Sequence, residues 1–195
     1  MITVSALENI YRKGFFGDYE GKNESEIIKV SEVKNLLIVQ IVQYKNSTLS
    51  INDIIIDDLN LSNEIAKVTN NKQTRILWNG PRNWLLVSTN KNLLKNMNQL
   101  FKVTDFAITD LSHSRAIIEL SGKNSKEILK KGCPYNFNDL KIDQCVNSIF
   151  NGITITIDMC DHNPNKIRLF ALRSFGESFF HSITDSCLEF GFEVK

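Results

Sequence analysis

Charge of one sign, long apolar runs, glycine-rich loops and paired cysteines are all missing from this chain of 195 residues. Lys plus Arg number 23 against 22 Asp plus Glu, a net charge of +1. No field of one sign exists to hold a phosphate polymer by counterion release, which excludes nucleic acid as the expected partner. The longest apolar run, residues 36–42, is interrupted by Gln40. It falls far short of the roughly 20 residues needed to cross a bilayer. The opening residues, MITVSALENIYRKGFF, place charges and a glycine where an export signal needs unbroken apolar sequence. A cytoplasmic chain with no membrane contact is the expectation. Cys133, Cys145, Cys160 and Cys187 include no C-x-x-C pair and no histidine at finger-like spacing. No metal site is expected, and the cysteines read as small buried hydrophobes with inert thiols. Cys133 stands apart, because Gly132 and Pro134 place it on a turn. No glycine-rich phosphate loop or nicotinamide fingerprint is present.

What remains is the composition of a folded globular protein: 42% hydrophobic and 23% charged residues in 22.3 kDa. Residues 1–34 mix isolated hydrophobes (Leu7, Ile10, Tyr11, Phe15, Phe16, Tyr19) with charge and glycine and lack periodicity. They predict an extended arm lying on the body or on a partner. The run N-L-L-I-V-Q-I-V-Q-Y, residues 35–44, predicts a buried strand. A helical or irregular stretch runs to Ile56. Strands at 74–78 and 84–88 are joined by the Gly80-Pro81 turn, with Trp78 and Trp84 as hydrophobic staples. A helix over 91–101 and a strand over 106–111 complete a βαββαβ-like module. A second round follows: a strand at 116–120, a helix at 125–131 closed by Gly132, and a hairpin about Asn151-Gly152, the strongest two-residue turn signal in the chain. A strand at 167–172 comes next. The last element is an amphipathic helix over 175–190 with Phe179, Phe180, Ile183, Cys187, Leu188 and Phe190 as core positions. The fold class is α+β, two packed modules of antiparallel sheet plus helices, divided as an arm over 1–34 and modules over 35–110 and 111–195.

Asp110-Leu111-Ser112-His113 juxtaposes the residue types of a nucleophilic triad, but neighbours on a strand point to opposite faces. The segment therefore reads as a strand-end turn in which Asp110 and Ser112 cap backbone N–H groups. No catalytic residue is assigned. Arg115, Arg168 and Arg173, with His113, are candidates for a subunit interface or for binding an anion such as the carboxylate of an amino acid or of a folate tail. Asp57, Asp58, Asp158 and Asp161 read as loop or turn residues.

Four segments in order, L-W-N-G-P-R-N-W-L-L-V (77–87), D-L-S-H-S-R-A-I-I-E-L-S-G (110–122), K-G-C-P (131–134) and L-R-S-F-G-E-S-F (172–179), resemble the gamma subunit of heterotetrameric sarcosine oxidase. That family is similar in turn to part of the glycine cleavage T-protein, an aminomethyltransferase, through the D-[VL]-S-H strand and the S-G turn. The resemblance implies a folate-binding type of fold. It also implies a non-catalytic role beside alpha, beta and delta subunits, in a complex that oxidises sarcosine to glycine, passes the one-carbon unit to tetrahydrofolate and releases hydrogen peroxide. FAD, FMN, NAD, tetrahydrofolate and zinc would then sit on the partner subunits. A free-standing folate-binding protein of one-carbon metabolism is the alternative. The sequence departs from these relatives in three places. The T-protein's G-G-x-x-D-D hairpin is replaced by I-F-N-G-I-T-I-T-I-D-M-C-D, so Asp158 and Asp161 inherit no role. Lys131-Gly132-Cys133 begins the K-G-C-x-x-G-Q-E signature of an iron–sulfur-assembly folate-binding relative, but Pro134 to Phe137 breaks it. The preferred family's G-P-D-E-W turn is Gly80-Pro81-Arg82-Asn83-Trp84 here.

Overall fold

The computed structural model describes residues 4–195, in which alternating and continuous apolar runs become fourteen strands and amphipathic stretches become three α-helices. The strands are β1 (Gly14–Phe16), β2 (Ile28–Glu32), β3 (Leu37–Gln43), β4 (Ile55–Ile56), β5 (Leu59–Asn60), β6 (Val68–Asn70) and β7 (Thr74–Gly80). After β8 (Asn83–Ser88) and helix α1 (Leu93–Leu100) come β9 (Phe106–Asp110), β10 (Arg115–Ser121) and helix α2 (Ser125–Lys130). The chain ends with β11 (Gln144–Phe150), β12 (Ile153–His162), β13 (Asn165–Leu172), helix α3 (Gly176–Cys187) and β14 (Phe192–Val194). The class is α+β. Chain contacts divide it into two units, one of residues 4–34, 114–142 and 146–195, the other of 35–113 and 143–145.

In the first unit a seven-stranded sheet runs in the order β1-β14-β2-β10-β13-β12-β11, with β14 and β2 parallel and β10 antiparallel to both β2 and β13. Strand periodicity sends Ile118, Leu120, Ile167, Leu169, Ile155 and Ile157 to one face, where they join Phe179, Phe180 and Ile183 of α3 and Ile128 and Leu129 of α2 in one core. The β11–β12 connection is the predicted Asn151-Gly152 turn. Both residues carry positive φ, +46° and +84°, as a mirror-type hairpin turn requires.

Of the arm expected over residues 1–34, residues 1–3 lie outside the described residues and residues 4–34 are built into the first unit. Leu7 is fully buried in the core, β2 lies between β14 and β10, and β1 pairs with β14. The Tyr11 hydroxyl accepts the Glu32 N–H (3.1 Å) and donates to the Lys195 carbonyl (2.6 Å), tying the N-terminal segment to β2 and to the chain's end. Short segments separated by glycine lack the length for visible periodicity, and pairing partners far along the chain supply their order. The split therefore falls at 34/35 and 113/114 and not at three consecutive segments. The final helix also stops earlier than its sequence pattern suggests. From Leu188 to Phe190 it tightens into a 3-10 turn, which carries Leu188 off the apolar stripe and leaves it 45% exposed.

In the second unit an antiparallel sheet runs β6-β7-β8-β3-β9. Ile76, Trp84, Leu86, Val39 and Ile41 pack with Leu93, Met97 and Phe101 in or beside α1. The helix considered for residues 45–56 does not form. A 3-10 turn at Ile51–Asp53 and the two-residue ladder of β4 and β5 occupy its end. Isoleucines in a row favour strand, and Asp57 and Asp58, both at positive φ, make the tight turn between them. Trp78 and Trp84 are cross-strand partners in the β7–β8 hairpin; Trp84 is buried and its indole N–H donates to the Ser62 carbonyl at 2.7 Å.

Candidate functional site

The Asp110–His113 segment ends β9. The Asp110 carboxylate accepts the Ser112 N–H at 2.9 Å and the Ser112 hydroxyl at 2.6 Å, and that hydroxyl oxygen accepts the Ile38 N–H at 3.0 Å. These bonds finish the β9 edge and join it to β3. Partial burial works upward on the Asp110 carboxyl, but the two hydrogen bonds from Ser112 and the charges of His113 and Lys91 outweigh it and hold the group below the usual aspartate value. A carboxylate whose charged form is favoured and whose Oδ1 already takes two hydrogen bonds is a poor proton acceptor. His113 itself is exposed. Two of the three residue types of the triad form a chain of turn bonds, Asp110 to Ser112 to the Ile38 N–H, and among the described residues no Ser–His hydrogen bond joins His113 to Ser112.

The arginines divide into two kinds. Arg168, on β13, donates through Nε to Glu119 of β10 at 2.9 Å, and its other cross-strand neighbour is Asp158 of β12. Lys166 approaches the same Glu119 at 3.8 Å. Arg168 is thus committed to a ladder across three strands. Asp158 is 1% exposed within β12, not in the loop or turn expected of it, because the strand runs on to His162. Asp161 does lie near the hairpin turn, where its carboxylate accepts the His162 N–H at 2.7 Å.

Arg115 and Arg173 have no such partners. Among the described residues no carboxylate lies within ion-pair distance of either one. Both flank one carbonyl: the Arg173 N–H donates to the Ser114 oxygen at 2.9 Å, and a guanidinium nitrogen of Arg115 reaches the same oxygen at 3.4 Å. Arg115 is half-buried, and burial pushes its guanidinium below its usual value. The Arg173 guanidinium donates to the Val4 carbonyl. Beside it opens a groove of about 700 Å³, lined by Ser5, Ser114, Arg173, Ser174, Glu177 and Ser178. The register Arg115–Leu172 sets the start of β10 beside the end of β13, just before α3, and residues 5, 114 and 173 line one groove although far apart in sequence. Val4 (56% exposed), Leu172 (44%) and Phe175 (47%) are the exposed apolar residues of these segments. Sequence reasoning singled out Arg115 and Arg173 but missed the contribution of residues 4–6, which carry no local signal of their destination.

The cysteines are all free thiols. Cys133 donates to the Ser148 hydroxyl at 3.1 Å, Cys145 to the Trp78 carbonyl at 3.2 Å, and burial pushes the Cys187 thiol up to about 12. No group of three or more His, Cys, Asp and Glu side chains that could hold a metal occurs among the described residues, and none of their helices is long and apolar enough to cross a membrane.

Among solved structures, a chain of the heterotetrameric sarcosine oxidase from Corynebacterium sp. U-96, solved in complex with pyrrole 2-carboxylate, superposes with a TM-score of 0.82 at 19% identity. The superposition covers 96% of this chain and 95% of that one. The glycine cleavage system aminomethyltransferase T from Bartonella henselae superposes with a TM-score of 0.57 at 10% identity, over 87% of this chain and 47% of its own. At these identities the likeness is one of fold. A search of curated proteins by sequence gives no match. The sequence itself matches the family described as sarcosine oxidase, gamma subunit family, over residues 53–189, a span that holds Asp110–His113, Arg115, Arg168 and Arg173. This chain belongs to the sarcosine oxidase gamma subunit family.

Proposed function

We propose that this chain is a cytoplasmic, non-catalytic accessory subunit of a tetrahydrofolate-linked sarcosine oxidase complex, assembled with alpha, beta and delta partners. Those partners carry FAD, FMN, NAD, tetrahydrofolate and zinc, and the complex demethylates sarcosine oxidatively to glycine with release of hydrogen peroxide. Family membership supports the complex. One observation supports the accessory role: the polar side chains nearest to a catalytic pattern are spent on structure. Asp110 and Ser112 close the β9 edge and Arg168 is clamped by Glu119. The cations Arg115 and Arg173 suit recognition of a carboxylate, and among the described residues no base or nucleophile is hydrogen-bonded to either guanidinium.

Co-expression with the three larger subunits, followed by size-exclusion chromatography, tests the reading. The chain elutes with them in fixed stoichiometry if it is a subunit. Elution on its own, beside a complex that assembles and oxidises sarcosine without it, rejects the reading. Calorimetric titration of the isolated chain with tetrahydrofolate tests the placement of folate. No binding in the micromolar range is expected, and micromolar binding would favour a folate-binding protein instead.

A further inference from the structure

The groove beside Arg173 differs from an ordinary charged surface in two respects. First, among the described residues no carboxylate pairs with its cation. Several cations of the same unit have acids: Arg168 has Glu119, Lys22 has Asp18, Lys130 has Glu127 and Lys131 has Glu189. Among the described residues, the Arg173 and Arg115 side chains each reach one backbone carbonyl, out of five N–H donors that a guanidinium offers. For Arg115 the shortfall is costly, since a half-buried cation has lost part of its hydration without gaining a counter-charge. Second, the groove lies among exposed apolar groups. Val4 precedes Ser5, Leu172 precedes Arg173, and Phe175 follows Ser174, each close to half exposed or more. Arginine set among aromatic and aliphatic groups is the composition of an interface core, where lysine and acids are depleted.

We infer that this groove is the docking site for a carboxylate-bearing segment of a partner subunit, an Asp or Glu flanked by apolar residues, with Arg173 as its principal anchor. The inference rests on the accessory-subunit reading and names the surface that serves it. A planar guanidinium takes a carboxylate in two parallel hydrogen bonds, which sets orientation as well as charge. The apolar neighbours exclude water from that pair, and Ser174 and Ser178 can bond the backbone of an extended segment. Glu177, also lining the groove, repels a second acid, so the occupant carries a single carboxylate and not an acidic run.

The test uses the complex co-expressed with its larger subunits, comparing wild-type chain with Arg173→Glu, Phe175→Ser and, as a control outside the groove, Lys123→Glu. Circular dichroism and thermal melting establish that each variant folds. Phe175, exposed and without a hydrogen-bonding role for its side chain, serves if the loss of the Arg173–Val4 bond unfolds the chain. Retention in the complex should fall by about ten-fold or more for Arg173→Glu, and clearly for Phe175→Ser, with Lys123→Glu unchanged. Wild-type association should also weaken with salt more steeply than that of Arg173→Ala. Retention of both groove variants within about two-fold of wild type overturns the inference and leaves the subunit reading standing. Failure of the wild type to co-purify removes both. A homodimer of the isolated chain that Arg173→Glu disrupts would assign the groove to a second copy and overturn the partner proposed here.

Discussion

Single side chains in this protein mostly act as fasteners, and two of them make measurable commitments. The Asp110 carboxyl is held below the usual aspartate value, so its contribution to stability is complete above the unfolded-state pKa of about 3.9 and is lost as pH falls through the lower folded value. Asp110→Asn, which keeps an acceptor oxygen but no charge, should lower stability near neutral pH by about 0.5 kcal/mol or less, given the exposure of the group. The difference should close below about pH 4. Urea melts at pH 7 and pH 3 check both the size and the closing. A deficit that grows toward low pH would contradict the Ser112 bonds. Cys187 makes the opposite commitment. Its thiol, pushed by burial up to about 12, stays protonated at pH 8. In the native protein it should resist iodoacetamide and become labelled only with unfolding, as followed by peptide mass spectrometry.

At the scale of elements, the connection after α2 shows how closely the second half is fitted. Lys131 donates to the Ser186 carbonyl at 2.6 Å, pairs with Glu189 at 2.8 Å and lies over the Phe190 ring, completing the open end of α3. Gly132 follows directly. A Cβ there would stand 2.6 Å from the Asn151 side-chain oxygen and 2.9 Å from the Phe150 ring, while the Asn151 amide is fixed to the Ser182 hydroxyl at 2.7 Å. The turn of the β11–β12 hairpin and the end of α2 therefore have no room between them. Gly132→Ala should cost about 1–3 kcal/mol, read as a lower denaturation midpoint with an unchanged slope. An unperturbed midpoint would show that Asn151 moves away freely. These elements were largely legible in the sequence: Asn151-Gly152 announced the hairpin, Gly132 the helix end, and the apolar spacing of Phe179, Phe180 and Ile183 the buried face of α3. The failures have physical causes as well. Leu188 left the stripe when the helix tightened, and the stretch before Ile56, open between helical and irregular, is irregular because it lacks the turn-by-turn apolar repeat that a helix needs.

At the scale of the whole molecule, residues 4–34 are part of the first unit and contribute two of its strands, β1 and β2. Leu7 is fully buried, β2 lies inside the seven-stranded sheet, and the Tyr11 hydroxyl closes the N-terminal segment onto Glu32 and Lys195. Removing residues 1–34 should therefore destroy the first unit, giving loss of cooperative melting and insoluble expression. A soluble truncated chain that melts like the full one would restore the arm reading. The same placement creates the Arg173 groove, since the Val4 carbonyl and Ser5 come from that segment. Family membership and function were read through motifs strung along residues 77–179, but the docking groove draws on both ends of the chain and has no contiguous motif.

The sequence by itself determined the secondary structure wherever periodicity ran for several residues. It also determined the class, the principal hairpins and the resemblance to the gamma subunit family, because local sterics, side-chain alternation and turn chemistry act over a few residues. Tertiary structure alone decided three matters. It inserted β2 between β14 and β10, separated Arg168, held by Glu119, from the unpaired Arg115 and Arg173, and brought Ser5 to Arg173 across 168 residues of chain. Each depends on which distant strand a short segment pairs with, a choice made by burial of a shared core face and not by any signal the segment carries alone.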